Sequence, residues 1–135
     1  MVEDTLALRI ASIPEEILKV EQFVEQLSQE HGVRDEMYGN VLIALSESVN
    51  NAIFHGNQED ASKFVEITLV EKTSAHIILS IKDEGPGFDY EDLPDPTAPE
   101  NLEKPTGRGV FLMTQLADET EFLHDGAEVR MKFNF

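Results

Sequence analysis

With 135 residues, 41% of them apolar and no cysteine, the chain is long enough for one domain with a real core, and neither a disulfide framework nor a thiolate metal site can form. A formal net charge of −17 argues against a nucleic-acid partner, whose phosphates it would repel, and favours proteins with basic surfaces. No apolar run approaches membrane-spanning length, and the acidic Glu3 and Asp4 lack the basic-then-apolar order of a secretory signal, so a soluble cytoplasmic protein without a membrane partner is expected.

Thr5 to Ala11 alternates, with Leu6, Leu8 and Ile10 on one face, which predicts a first strand. Ser12-Ile13-Pro14-Glu15-Glu16 opens a helix, with proline in its first turn and acidic residues at the positive end of the dipole. Ile17, Val20, Val24 and Leu27 supply its buried stripe, and His31-Gly32 ends it. A second helix runs from Met37-Tyr38 to Gly56. Its apolar stripe is Leu42, Leu45, Val49 and Ile53, while Glu47, Asn51 and His55 stack four residues apart on another face. A solvated polar face is the ordinary explanation for such a column. Against it, Asn51 is a poor helix former in an interior position beside Asn50, where Lys, Glu or Gln would be preferred.

After a polar loop at Asn57-Gln58-Glu59-Asp60, Val65, Ile67 and Leu69, then Ile77, Leu79 and Ile81, alternate with other residues on either side of a turn near Thr73-Ser74. These two runs predict an antiparallel hairpin. Asp83 keeps the parity of Ile77, Leu79 and Ile81, so it points into the layer between sheet and helices, where a carboxylate needs a partner. Gly85-Pro86-Gly87 follows, and a lone G-x-G usually marks a turn. Residues 88–106 have little apolar periodicity but carry Pro94, Pro96, Pro99 and Pro105, and a connection that long in a compact domain is either disordered or a functional lid. Gly107-Arg108-Gly109 then precedes a helix pattern from Val110 to Ala117, where glycine N–H groups and a helix dipole suit an anion. Thr120 to His124, an Asp125-Gly126 turn, and Val129, Met131, Phe133 and Phe135 make a closing hairpin. Adjacent antiparallel strands with helices gathered on one face predict a two-layer α+β sandwich.

Three signals now stand in order: Glu47-x-x-x-Asn51-Ala52 on a helix, Asp83-x-Gly85-x-Gly87 after a strand, and Gly107-x-Gly109 before a helix. Each is weak alone. In this order, with a lid between the last two, they resemble the GHKL ATPase superfamily of gyrase, histidine kinases and mismatch-repair ATPases, over essentially the whole chain. The length and the Glu47…Asn51-Ala52…His55-Gly56 form of the helix most resemble the bacterial anti-sigma-factor serine/threonine kinases. The resemblance implies one histidine-kinase-like domain over residues 1–135, with ATP and Mg²⁺ as ligands. It implies that Asn51 offers an oxygen to Mg²⁺ and that Asp83 accepts from the adenine amine. Gly85 and Gly87 then let the backbone approach the base, Gly107, Arg108 and Gly109 hold phosphates, and Glu47 is the general base. His55 is assigned to packing or a hydrogen bond at the helix end ahead of catalysis.

The implied partner is an anti-anti-sigma-like protein substrate, with a sigma factor and a second copy of the chain as further candidates. Two rival readings stand beside this one. A histidine-kinase catalytic domain typically has Asn where Glu47 stands and needs a separate helical hairpin, for which the chain is expected to have no room. A nucleotide-gated binding module would hold a sigma factor or another basic protein without chemistry.

Overall fold

Alternating β-branched residues give each strand one apolar face, and pairing the strands in register gathers those faces into one surface. A computed structural model of the chain describes residues 6–30, 33, 35–85 and 112–135. Among them, β1 (Ala7–Ala11), β2 (Phe64–Lys72), β3 (His76–Lys82), β4 (Glu119–Leu123) and β5 (Glu128–Asn134) form one antiparallel sheet in the order β1-β2-β3-β5-β4. Ile10 faces Val65 across the first pair. Ile67, Ile81 and Val129 lie side by side on the next three strands, as do Leu69, Leu79 and Met131, and Ile77 faces Phe133. All of these side chains are buried.

Two helices cover that face. A 3₁₀ turn at Pro14–Ile17 leads into α1 (Leu18–Glu30), which buries Val20, Phe23, Val24 and Leu27. The second helix, α2 (Asp35–Asn51), buries Val41, Ala44, Leu45, Ser48 and Val49. Helices and sheet share one hydrophobic core, so the predicted two-layer α+β architecture and the predicted order of strands and helices both hold. No helix among the described residues is long and apolar enough to cross a membrane.

Several local expectations need correction. The second helix starts at Asp35, ahead of Met37, and Leu42 is only half-buried because Val41 and Ala44 take the core-facing positions. Its last turn is not α-helical: Ala52–Gly56 is a π turn, in which the Asn57 N–H donates to the Ala52 carbonyl at 2.8 Å. On α1, Phe23 joins the core while Ile17 stays at its margin, since proline at the start tightens the first turn into a 3₁₀ helix. The closing hairpin also turns more widely than Asp125-Gly126 alone. Leu123 and Glu128 are the last paired residues, and the link runs through a 3₁₀ turn with φ 53° at His124 and 96° at Gly126. The His31-Gly32 stop and the lid at 88–106 lie outside the described residues, and of the predicted helix at 110–117 the described part is helical over 112–116.

Candidate functional site

The π turn ends α2 directly above the end of β3. An i−5 hydrogen bond widens the helix by one residue and re-aims the side chains that follow, a distortion that often marks a functional position. Here it brings Asn51, His55 and Gly56 to the edge of a small, partly open cavity. Ser48 and Ala52 continue this wall down into the core, Ile81 and Asp83 come from β3, and Phe122, Ala127 and Val129 close the far side with Met113. The lining is mostly apolar with a few convergent polar groups. Ser48 belongs to the structure more than to the cavity: its hydroxyl donates to the Ala44 carbonyl at 2.8 Å and packs against the sulfurs of Met113 and Met131 at 3.4 and 3.5 Å.

Asp83 is the carboxylate among the described residues that line this cavity. It follows Ile81 with the inward parity of β3, and its N–H donates to the Ala127 carbonyl at 2.9 Å, which extends the sheet by one bond. Burial pushes its carboxyl above the usual carboxylate value, and the Gly85 N–H, donating to Oδ1 at 2.7 Å, pulls it part of the way back. That leaves acceptor capacity facing the cavity.

Two glycines make this arrangement possible. A Cβ on Gly56 would stand 2.4 Å from the Asp83 carboxylate, and one on Gly85 would stand 2.0 Å from the Gly56 carbonyl oxygen. The carboxylate therefore lies flat against the bare end of the helix, and the turn behind it lies flat against the same peptide.

Of the residues singled out from sequence, Asn51 and Asp83 meet at the cavity, with Gly85 directly behind the carboxylate. Glu47 is half-buried one helical turn before Asn51 and is not among the lining residues. His55, assigned to packing or a hydrogen bond at the helix end, stands on the cavity wall. Gly87, Gly107, Arg108 and Gly109 lie outside the described residues.

Sequence reasoning missed Phe122 and Ala127 as walls, because their contribution depends on which strand β5 pairs with. It also missed Asn57, read as part of a polar loop. Asn57 is fully buried, and its carboxamide ties three segments together.

Residues 10–133 match the family model described as a histidine kinase-like ATPase domain, nearly the full chain. The chain belongs to the histidine kinase-like ATPase domain family. A relative called anti-sigma F factor, from Heyndrickxia coagulans, is 32% identical over 122 residues, covering 85% of this chain and 79% of the relative. A Staphylococcus aureus protein called serine-protein kinase RsbW is 26% identical over 136 residues, covering 96% of this chain and 86% of the relative. Among solved structures, the crystal structure of the RsbU and RsbW domains of a Mycobacterium tuberculosis protein superposes with a TM-score of 0.65 at 15% identity. That match covers 96% of this chain and 31% of the solved one, and it supports the histidine kinase-like ATPase fold.

Proposed function

We propose that this chain is an ATP-dependent serine/threonine protein kinase of the anti-sigma-factor type, acting on an anti-anti-sigma-like protein. The observation that carries the reading is the half-buried Asp83 carboxylate, set in an apolar slot beside Asn51 in a histidine kinase-like ATPase domain. The kinase part draws support from relatives called serine-protein kinase RsbW and anti-sigma F factor, aligned over most of both chains.

In this reading adenine enters between Ala52, Ile81 and Phe122, and its exocyclic amine donates to Asp83. Guanine places a carbonyl there, so Asp83 would face an acceptor. Asn51 supplies a neutral oxygen at the cavity rim, which suits a hard cation that keeps most of its waters and takes its remaining ligands from phosphates. Mg²⁺, when bound, supplies positive charge to the transferring phosphoryl group.

The acceptor hydroxyl attacks the γ-phosphorus, the bond to the β-phosphate oxygen breaks, and ADP leaves. Glu47 takes the hydroxyl proton. Gly87, Gly107, Arg108 and Gly109 keep the loop and phosphate roles that their motifs imply. A sigma factor and a second copy of the chain complete the set of proposed partners, and the acidic surface suits a basic one.

The test is incubation of the chain with Mg·[γ-³²P]ATP and anti-anti-sigma-type proteins. Acid-stable label on a serine or threonine of one of them is expected. Nucleotide binding without label on any of them would replace the kinase by a nucleotide-gated binding module.

A further inference from the structure

The geometry points to Asn57 as a positioning residue that fixes the Asp83–Gly85 turn and so sets the choice of nucleotide base. The inference rests on the assignment of Asp83 to adenine above. Asn57 is the first residue past the π turn and is fully buried. Its Nδ2 donates to Ser12 Oγ at 2.7 Å and to the Phe64 carbonyl at 3.0 Å, while its Oδ1 accepts from the Glu84 N–H at 2.7 Å. The orientation of the amide is decided by these partners, because the Phe64 carbonyl can only accept and the Glu84 N–H can only donate. Ser12 in turn donates to the Lys63 carbonyl at 2.9 Å, so β1, β2 and the end of α2 are joined through one side chain.

What matters for function is the last of these bonds. The Glu84 amide lies between Asp83 and Gly85, and those two residues already bond to each other and press against Gly56. Asp83 is held on its other side by the Ala127 carbonyl, and the Glu84 carboxylate reaches back to the Phe64 N–H. Removing the Asn57 oxygen releases the middle peptide of the turn. The carboxylate can then rotate away from the line on which an adenine amine would meet it. An aspartate at 57 would set an oxygen against the Phe64 carbonyl, so asparagine is required by its two kinds of atom and not by its size.

A purely architectural Asn57 would affect folding stability alone. A positioning Asn57 also changes base preference. The comparison is Asn57→Ala and Asn57→Ser against Ser12→Ala, which cuts the same network on the side away from the turn and leaves the Glu84 bond in place.

Binding of ATP and GTP analogues is measured by calorimetry, with thermal melts as the check on folding. The ATP-over-GTP preference should fall by about tenfold or more in the Asn57 variants and change by less than about twofold in Ser12→Ala. Equal preference in all folded variants and the wild type would overturn the inference. So would failure of both Asn57 variants to fold, which would make the network a folding element. A wild type with no preference for ATP would instead remove the Asp83 assignment itself, and Asp83→Ala separates that failure by leaving the wild-type ratio unchanged.

Discussion

Replacing Gly56 by alanine perturbs the proposed adenine site through a single methyl group. Among the described residues the positive-φ glycine is Gly126, so Gly56 has a backbone that alanine can adopt. Its bareness serves close approach. The new Cβ would stand 2.4 Å from the Asp83 Cγ and Oδ2 and 2.7 Å from Oδ1. Ordinary contact begins near 3.4 Å, so the carboxylate must retreat by about 1 Å, enough to break a hydrogen bond made at normal length.

Losing a hydrogen bond to a charged acceptor costs about 1.5–3 kcal/mol, or roughly a ten- to hundredfold loss in affinity. The helical gain of alanine over glycine, about 1 kcal/mol, offsets much of the packing strain, so folding should survive. Calorimetry with ATP and GTP analogues should therefore show ATP affinity falling by that factor while GTP affinity changes little. Wild-type ATP affinity in a folded Gly56→Ala protein would refute the placement of adenine against Asp83.

Gly85→Ala meets the Gly56 backbone oxygen and not a movable side chain, so urea denaturation should show about 1–3 kcal/mol of lost stability, more than Gly56→Ala loses. Because burial raises the Asp83 carboxyl above its ordinary value, its contribution to stability is present below the unfolded value and is lost as pH rises through the raised one. Asp83→Asn should then gain melting temperature over wild type from acid to neutral pH while losing the adenine preference; parallel pH curves would contradict this. Glu128 shows the opposite sign. Burial pushes its carboxyl up, but hydrogen bonds from Ser80 and Arg130 and the charges of Arg130 and His124 outweigh it, so the carboxyl lies below its ordinary value. Glu128→Gln should cost about 1–3 kcal/mol at neutral pH, and the difference should close as pH falls through the lowered value in pH-dependent melts.

The sheet was legible because its pattern is local. Val65, Ile67 and Leu69 on one strand and Ile77, Leu79 and Ile81 on the next declare their buried face by alternation, and Asp83 inherits its inward direction from the same parity. The column of Asn51 and His55 was legible for a similar reason, since helical spacing stacks them.

The π turn was not, because one extra residue in a helical loop of backbone leaves no periodicity to read. Asn57 was hidden by its neighbours: Gln58, Glu59 and Asp60 are exposed, and nothing local separates the one buried amide from them. Glu128 was hidden by pairing. Its burial depends on Ser80, 48 residues away, and on His124 across the closing turn. Long-range contacts that one side chain makes with several segments are absent from any sequence window.

Single-turnover phosphoryl transfer by Glu47→Gln tests the chemistry proposed for Glu47 as general base most directly, beside Asn51→Ala as the binding control. The glutamine keeps size and helix propensity and removes the proposed base, so the variant should bind Mg·ATP and the protein partner as the wild type does. Its transfer rate should fall by about 10²–10⁴, nearer the lower end because phosphoryl transfer rests mostly on positioning and electrostatics. Asn51→Ala should instead lose Mg-dependent nucleotide affinity together with activity. A Glu47→Gln protein that transfers phosphate at the wild-type rate would contradict the assignment of Glu47 as general base.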